Sequence, residues 1–366
     1  MQKGVKFRIY PNKQQKMLIN RTLGCCRLVY NKGLSLRNER YKAGTPTNYA
    51  GTCKMLTSWK QQDNLAFLKQ VDAVALQQSL RDLDRAFQNF FQKRSGYPVW
   101  KSKHNHRQSY RTLNQNNGIR IVGNYLRLPK LGFVRVKQSM EIGKIHHVTI
   151  TRTPTNKYFA ILNVEFTPEP RKNRGGQIGI DMGIKTFYTD SNGRTVENPK
   201  YLETAQKRLA KAQRKLSRKR MESKNYQKQR VQVALLHEKV ANQRNDFLQK
   251  QSSILIRENQ TICIENLKVS NMVRNHRLAQ AISSTSWSRF FTMLTYKASW
   301  YGNEIVKVPS NYPSSQICSV CGYQNPLVKN LGIRQWTCPQ CHTAHDRDYN
   351  ASINILRKGL QQLALS

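Results

Sequence analysis

Four cysteines near the C-terminal end of the chain form two closely spaced pairs. They are Cys318, Cys321, Cys338 and Cys341. Each pair has two intervening residues, and sixteen residues separate the pairs. Four thiolates at this spacing are typical of a tetrahedral zinc site, and Gly322 and Pro339 suit the tight turns that bring the sulfurs together. Because all four ligands come from the protein, we predict one structural Zn²⁺ in a ribbon over residues 316–343, without a catalytic role.

Three carboxylates lie where predicted strands end or a predicted helix begins. Asp181 follows two isoleucines in IGIDMGIK, Glu265 ends the strand-like TICIENL, and Asp348 lies in HDRDYNASINI just before a helical pattern. A single Asp after a strand is most often a cap or turn residue, so the three must be judged together. Together they could hold two Mg²⁺ about 4 Å apart for phosphodiester hydrolysis. Asp346, half a turn before Asp348, is a candidate helix cap.

The charge of the chain indicates a polyanionic partner. The sequence has 366 residues, with 62 Lys and Arg against 20 Asp and Glu, a net charge of +42. Nucleic acid fits this charge because neutralised phosphates release counterions. A membrane fits less well, since no apolar stretch approaches the roughly 18 residues of a span. The N-terminus also lacks the apolar core of a secretory signal. We therefore predict a cytoplasmic protein, nucleoid-associated when it is bound to DNA. The four scattered cysteines (Cys25, Cys26, Cys53 and Cys263) are interpreted as small buried residues.

The N-terminal part of the chain is predicted to combine helices with a small barrel. VKFRIY alternates as a strand does, and Pro11-Asn12 then opens a helix. One apolar helical stripe follows, formed by Leu76, Leu80, Leu83, Phe87 and Phe90. Residues 118–166 contain short alternating strands and end in a hairpin whose turn is at residues 154–156. We expect these strands to form a small antiparallel barrel.

The remaining elements position the carboxylates. The Pro- and Gly-containing stretch from Pro168 to Gly176 is predicted to be a linker. Two strands joined at Asn192-Gly193 should follow it. Residues 202–259 carry heptad-spaced apolar residues in two runs, which predicts two helices in a hairpin with a charged junction between them. A solvated charged face is the ordinary interpretation of such helices, but the net charge favours contacts with phosphates.

At these motifs the sequence resembles the TnpB family. Proteins of this family are encoded by insertion sequences and are related to type V CRISPR effectors. GIDMGIK resembles the family's first RuvC motif and IENL its second, with Asp181 and Glu265 as the acids. CSVCG, WTCPQC and HDRDYNASINI resemble the zinc ribbon and the third motif, with Asp348 as catalytic acid and Asp346 as its companion. ALQQSLRDLDRAFQNFFQKRSGYPVWKSK resembles the helical region that leads into the barrel. The resemblance covers nearly the whole chain.

The resemblance implies an α+β multidomain fold. A wedge-like antiparallel β-barrel would comprise residues 1–12 and 101–172, with a helical recognition region at residues 13–100 inserted in it. An RNase H-like (RuvC) α/β nuclease domain would follow at residues 173–366 and include the basic helices 202–259 and the zinc ribbon. The implied partners are a guide RNA derived from the transposon end and a target double-stranded DNA with a short adjacent motif. The implied activity is DNA cleavage with catalytic Mg²⁺.

Two other functions remain open from the sequence. One is a non-cleaving RNA-guided DNA-binding regulator or a transposition accessory protein, either of which would share the basic surface. Loss of one of the three acids would be typical of the regulator, but all three acids are present. A transposase of the tyrosine type needs a His-x-His pair beside a nucleophilic tyrosine. His104-x-His106 is the only such pair, and no helical tyrosine is predicted beside it. The sequence leaves the oligomeric state open.

Overall fold

The chain forms two compact units, Met1–Thr167 and Pro168–Ser366. This computed structural model describes residues 1–104, 108–168, 175–274 and 276–365. Most of the predicted linker, residues 169–174, lies outside the described residues. None of the helices in the described ranges is both long enough and apolar enough to cross a membrane.

The first unit contains a seven-stranded antiparallel sheet. Its strands are β1 (Gln2–Tyr10), β2 (Gln108–Leu113), β3 (Arg120–Val122), β4 (Tyr125–Leu128), β5 (Gly132–Lys137), β6 (Ile145–Arg152) and β7 (Tyr158–Glu165). They are ordered β2-β6-β7-β1-β5-β4-β3. The strands expected between residues 118 and 166 are therefore confirmed, including the β6–β7 hairpin. Strand β2 was not predicted.

The connection between β2 and β3 requires this sheet to curl. The two strands lie at opposite edges, which in a flat sheet would be about 29 Å apart. The connecting residues 114–119 could span at most about 25 Å even if fully extended. They are instead folded back, because Asn114 accepts a hydrogen bond from the Ile119 amide and donates one to the Ile119 carbonyl. The edges are thus drawn toward each other, as expected for a barrel-like sheet.

Three helices share one hydrophobic core with the sheet. These are α1 (Lys13–Lys42), α2 (Tyr49–Gln61) and α3 (Ala73–Phe91), with a 3₁₀ helix at Asp63–Gln70. Asn12 begins α1 in a capping box with Gln15, as Pro11-Asn12 predicted. Leu76, Leu80 and Leu83 of the predicted stripe are fully buried. The stripe belongs to the core, and the helical character of this part of the chain is confirmed.

The second unit is built on a mixed five-stranded sheet. Its strands are β8 (Gly176–Met182), β9 (Thr186–Asp190), β10 (Thr195–Glu197), β11 (Asn259–Glu265) and β12 (Glu304–Val308), in the order β10-β9-β8-β11-β12. Strands β8, β11 and β12 are parallel, and β9 and β10 are antiparallel additions.

One expectation about this sheet is wrong. The sequence before residue 198 predicts two strands, but the structure has three. The turn at Asn192-Gly193 is present between β9 and β10, with Gly193 at a φ of 82°. A second turn after Met182 separates β8 from β9, where the Gly183 amide donates to the Phe187 carbonyl. The alternating apolar residues on both sides of Gly183 hid this turn.

Helices surround the sheet of the second unit. They are α4 (Tyr201–Ser217), α5 (Lys224–Glu258), α6 (Val269–Met272), α7 (His276–Thr285), α8 (Trp287–Tyr301) and α9 (Arg347–Ala364). Helices α4 and α5 pack together as the predicted hairpin, and the charged junction supplies their turn. Between β12 and α9 the chain forms a small ribbon with strands β13 (Gln335–Thr337) and β14 (Ala344–Asp346) and a 3₁₀ turn at Pro326–Lys329.

Candidate active site and zinc centre

Two of the three predicted acids end neighbouring parallel strands. Asp181 lies near the end of β8, and Glu265 is the last residue of β11. In the ladder Ile180 is paired with Ile264, so the two acids occupy the next positions of their strands. The carboxyl ends of parallel strands meet at one edge of a sheet, which brings both side chains to the same place. Both are half-buried.

The third acid reaches this edge because helix α9 lies very close to the sheet. A Cβ at Gly179 of β8 would overlap the carbonyl oxygen of Ser352, and a Cβ at Gly359 of α9 would overlap Cys263 of β11. Only glycine allows this approach of helix and strand backbones. Asp348 lies in the first turn of α9, at the end that faces the two strand acids, and its side chain is 28% exposed.

The charges of the three acids act on one another. Burial raises the pKa of Asp181 well above its usual range, and the negative charges of Glu265 and Asp348 raise it further. Burial also raises the pKa of Glu265, while a hydrogen bond from the Ser314 hydroxyl, 2.8 Å from Oε1, opposes this rise. Glu265 and Asp348 therefore both lie near enough to Asp181 for their charges to act on it.

Arg334 partly neutralises the negative charge of the three acids. Its guanidinium lies 3.2 Å from one carboxylate oxygen of Asp348 and 3.4 Å from the other. Its charge also lowers the pKa of Asp181, as does that of the buried Arg347. Arg334 belongs to the ribbon, and its carbonyl accepts a hydrogen bond from the Arg347 amide. The ribbon thus places a cation directly beside the third acid.

Asp346 has the capping role that the sequence predicted. It is the N-cap of α9, and its carboxylate accepts hydrogen bonds from the amides of Asp348 and Tyr349. It also pairs with Gln335 across the β13–β14 ladder. One residue therefore ends the ribbon and begins the helix that carries Asp348.

The donor set suits divalent magnesium. Three carboxylates with mutually unfavourable charge offer only oxygen ligands, and a hydroxyl fixes one of them. Such hard ligands are what Mg²⁺ prefers, and it keeps several waters as further ligands. Burial is the main cause of the raised pKa of Asp181, and the charges of Glu265 and Asp348 add to it; a positive ion would compensate that repulsion.

The four paired cysteines form a compact cluster of sulfurs. All four Sγ atoms lie within 4.8 Å of one another. The Cys318–Cys341 and Cys321–Cys338 sulfur pairs are each 3.6 Å apart. Tetrahedral zinc with Zn–S bonds of about 2.3 Å requires sulfurs about 3.8 Å apart, so the cluster fits one zinc ion.

Two matching turns hold the cysteines. In the first, the Gly322 amide donates to the Cys318 carbonyl; in the second, the His342 amide donates to the Cys338 carbonyl. Gly322 and His342 both have a left-handed backbone, with φ of 81° and 57°. Glycine was expected at the first turn. Pro339 lies inside the second turn, where His342 takes the left-handed position.

Several functional residues escaped the sequence interpretation. Ser314 lies 49 positions from Glu265, and Arg334 lies 14 positions from Asp348. Buried His345 lies against Trp336, with ring centroids 4.7 Å apart, and its Nε2 is 3.0 Å from the Cys318 sulfur. Local spacing does not reveal contacts between distant segments. The one signal in the sequence is that Arg334, Trp336 and Cys338 occupy every second position, which places them on the same side of a strand.

Of the histidine pair weighed for a tyrosine transposase, the structure describes only His104. It lies in a turn, and its amide donates to the Ser102 hydroxyl. His106 lies outside the described residues.

Comparison with known families matches three stretches of the chain. Residues 154–276 match the OrfB_IS605 family, described as "Probable transposase". Residues 287–355 match the "Cas12f1-like, TNB domain" family, which covers the ribbon and the start of α9. Residues 1–45 match a family described as "Helix-turn-helix domain". In this structure those residues form strand β1 and the single long helix α1.

Relatives and a solved structure extend the match over nearly the whole chain. A protein of Streptomyces pristinaespiralis named "Putative RNA-guided DNA endonuclease" is 40% identical over 98% of this chain and 90% of its own length. The protein named "Putative RNA-guided DNA endonuclease InsQ" of Escherichia coli K12 is 33% identical over 98% and 92%. A chain from the cryo-EM structure of the Cas12f1-sgRNA-target DNA complex superposes with a TM-score of 0.57 over 97% of this chain and 98% of its own, at 14% identity, and shares the fold. With relatives this similar over almost its full length, the chain belongs to the TnpB family, as its motifs indicated.

Proposed function

We propose that this protein is an RNA-guided DNA endonuclease that cuts target DNA at the site formed by Asp181, Glu265 and Asp348. The observation that carries the proposal is the convergence of two strand-end carboxylates with a helix-start carboxylate. The names of the two relatives, and the sgRNA and target DNA bound in the Cas12f1 complex, support RNA and DNA as partners.

In this proposal the three acids hold two Mg²⁺. When bound, the two ions would supply an activated water and stabilise the leaving oxygen of the phosphodiester. Ser314 orients Glu265 through its hydrogen bond, and the Asp346 cap fixes the helix turn that presents Asp348. Arg334 pairs with Asp348 and partly neutralises it, and bound cations would compensate the same charge. The zinc of the ribbon is structural, because four protein ligands leave no open position.

The domain roles follow the resemblance. We propose that the curled sheet, residues 1–12 and 101–172, is the wedge-like barrel and that residues 13–100 are the recognition region. Residues 173–366 would be the RuvC-like nuclease, in which the basic α4–α5 hairpin contacts phosphates. The guide would derive from the transposon end, and the protein would read a short motif beside the target.

The non-cleaving regulator is less well supported. Such a protein needs no acidic centre, whereas here burial and mutual repulsion raise the pKa of Asp181. Keeping an unfavourable cluster of charges is understandable when the cluster binds cations.

The test is cleavage of a guide-matched duplex by purified protein with its RNA. Asp181→Asn should lower the cleavage rate by about three orders of magnitude or more, while target binding stays near that of the unmodified protein. Asp246→Asn is the matched control, because this exposed acid on α5 forms an ion pair with Lys250 in the next turn. If the unmodified protein binds its target but never cuts it with Mg²⁺ or Mn²⁺, the regulator takes the place of the nuclease.

A further inference from the structure

The outward side of strands β1, β5, β4 and β3 carries exposed aromatic rings between cations. We call this surface the aromatic–arginine face; its rings are Tyr10, Tyr125 and Phe133, and the cations between them are Arg120, Arg127 and Arg135. The three rings are 49%, 49% and 52% exposed. The residues that alternate with them on the same strands are core residues, for example Leu126 and Val134, both fully buried. The rings therefore belong to one side of the sheet only.

The strand register places these side chains in two rows. Arg135 lies opposite Tyr10 on one neighbouring strand and opposite Tyr125 on the other. In the second row Arg127 lies between Phe133 and Arg120. Phe133 is thus a diagonal neighbour of both tyrosines, at about 7–8 Å along the sheet. Stacked bases are about 3.4 Å apart, so one base between two rings needs a similar separation of about 7 Å.

Helix α1 fixes the position of Phe133. The side-chain amide of Gln15 donates to the carbonyls of Leu131 and Phe133, at 3.1 and 2.9 Å. The same glutamine closes the capping box at the start of α1. Phe133 is therefore held on a rigid strand rather than on a mobile loop, which reduces the entropy lost when it binds a partner.

Two cations of this face lack an acidic counterpart in the described part of the chain, because neither Arg127 nor Arg135 forms an ion pair there. The sequence contains no Asp or Glu between Asp84 and Glu141, and none before Glu39. An uncompensated row of guanidinium groups repels itself, so a polyanion that covers it would stabilise the fold.

The mixture of rings and arginines distinguishes between nucleic-acid partners. A duplex offers mainly phosphates, for which exposed rings are of no use. Unpaired nucleotides offer phosphates and free base faces, and aromatic residues on an open sheet face are a recurring means of stacking unpaired RNA bases. A guide RNA stays bound throughout the cycle, whereas a displaced DNA strand is present only after the target opens. A permanently exposed apolar surface is better explained by the resident partner.

We propose that the aromatic–arginine face is a stacking platform for an unpaired segment of the guide RNA. Bases stack on Tyr10, Tyr125 and Phe133, while Arg127 and Arg135 contact the phosphates between them. This inference rests on the proposed RNA-guided function and adds to it a surface in the first unit, remote in sequence from the three acids.

The first experiment maps the RNA-binding surface. The full-length protein is mixed with an unstructured oligouridine that contains 4-thiouridine, irradiated, and digested for mass spectrometry. Crosslinked peptides should contain Tyr10, Tyr125 or Phe133. Crosslinks confined to the basic α4–α5 hairpin would overturn the proposal.

The second experiment separates stacking from charge. Tyr125→Thr and Phe133→Thr keep a strand-forming residue but remove the ring, and each should weaken oligouridine binding about 5- to 150-fold. Their dependence on salt should match that of the unmodified protein. Arg135→Gln should instead reduce the slope of log K against log salt by about 0.7 for each phosphate that the variant no longer neutralises. If ring and arginine variants both alter only the slope, the face is purely electrostatic and the proposal fails.

Three controls make the result specific. Phe133→Tyr keeps a ring and should bind like the unmodified protein, which excludes a loss of folding as the cause. Tyr41→Ala removes a 78% exposed ring at the end of α1, outside the face, and should change nothing. A duplex RNA of equal length should be insensitive to the ring variants. If the ring variants bind the duplex RNA more weakly but bind oligouridine normally, the partner is a duplex and the proposal is wrong.

The source of the unpaired strand is tested by competition. An oligodeoxynucleotide of the same length should displace the RNA less well than an oligoribonucleotide does. Equal or better displacement by DNA would assign the face to a DNA strand instead. Cleavage by the unmodified protein is measured separately. If that protein binds RNA through the rings but never cuts DNA, only the proposed nuclease activity is contradicted. If it cuts DNA but the ring variants bind oligouridine normally, only the stacking platform is contradicted.

Discussion

At the scale of single residues, the candidate active site is an arrangement of unfavourable charges. The choice of Asp181, Glu265 and Asp348 as a catalytic set rests on the family resemblance and stays a prediction. Their placement at the ends of elements could be predicted from clear apolar patterns. Their partners could not, since Ser314 and Arg334 contact them only through the folding of distant segments. Sequence spacing reports on neighbours along one element and is silent about contacts between elements.

The third acid can be distinguished from its neighbour by a pair of variants. Asp348→Asn should abolish cleavage, because it removes a carboxylate that interacts with Asp181. Asp346→Asn should retain most of the cleavage, because asparagine caps helices about as well as aspartate does. Cleavage of a guide-matched duplex measures both. Normal cleavage by Asp348→Asn together with an inactive Asp346→Asn would show that the third ligand had been assigned wrongly.

The raised pKa values predict a conflict between stability and activity. Ordinary values for Asp181 and Glu265 are 3.8 and 4.5, and both are raised in the folded protein. The folded state therefore holds protons that the unfolded state has lost, so metal-free stability should fall as pH rises from about 4 through the raised pKa values. Asp181→Asn should raise the unfolding free energy of the metal-free protein by roughly 0.5–2 kcal/mol at neutral pH.

Thermal denaturation over a range of pH without divalent metal measures this effect. The advantage of Asp181→Asn should shrink toward acidic pH, where the unmodified carboxyl is protonated in both states. Added Mg²⁺ should stabilise the unmodified protein at neutral pH and do less for the variant. A variant that is less stable at every pH would contradict the assigned cause.

At the scale of elements, helix α9 connects the ribbon to the sheet. Asp346 ends β14 and caps α9, and the helix then lies on β8 at Gly179. Gly179→Ala should push α9 away, lower the unfolding free energy by about 1–3 kcal/mol and reduce cleavage. Gly24→Ala in α1 is the control, since nothing lies within 4 Å of its added Cβ. A fully active and stable Gly179→Ala protein would show that α9 is free to shift.

Removal of zinc should affect cleavage through this same connection. The ribbon has a small buried cluster of Cys318, Val328, Trp336 and Cys338, too few residues to fold without a metal. Elemental analysis should give about one zinc per chain, and Cys338→Ser should lower both zinc content and cleavage. After chelation, Mg²⁺ alone should restore little activity, whereas Mg²⁺ with Zn²⁺ should restore most of it. Full zinc and stability in Cys338→Ser would contradict the four-thiolate site.

The elements differ in how far the sequence predicted them. The β6–β7 hairpin and the α4–α5 pair have periodic apolar residues and clear turns, and both are confirmed. Strand β2 was missed because QSYRTL is largely polar and only two of its six residues, Tyr110 and Thr112, are buried. Strands β8 and β9 were joined in the prediction because their apolar residues continue across Gly183. Tertiary packing, not local pattern, decides such segments.

At the scale of the whole molecule, a net charge of +42 requires a bound polyanion. We expect the purified protein to carry a discrete, structured RNA, detectable by sequencing of the co-purified nucleic acid. Affinity for that RNA should fall steeply with salt, as expected when many phosphates are neutralised. Recovery of heterogeneous cellular RNA with no enriched species would count against a dedicated guide. An affinity for the RNA that hardly changes with salt concentration would count against extensive contacts between basic side chains and phosphates.

The central place of β1 in its sheet has a consequence for the time the first unit needs to fold. Strand β1 pairs with β7, which is synthesised much later, from Gln2 opposite Glu165 to Ile9 opposite Tyr158. At about 5–20 residues per second the ribosome takes roughly 8–33 s to reach that partner. Until β5 and then β7 have been synthesised, β1 is a strand with unpaired edges and one apolar side, a form prone to association. Lys6 and Arg8 alternate with its core residues, and such charges are known to discourage pairing with foreign strands. These two charges therefore act before the sheet exists, by keeping the newly synthesised strand available for β7.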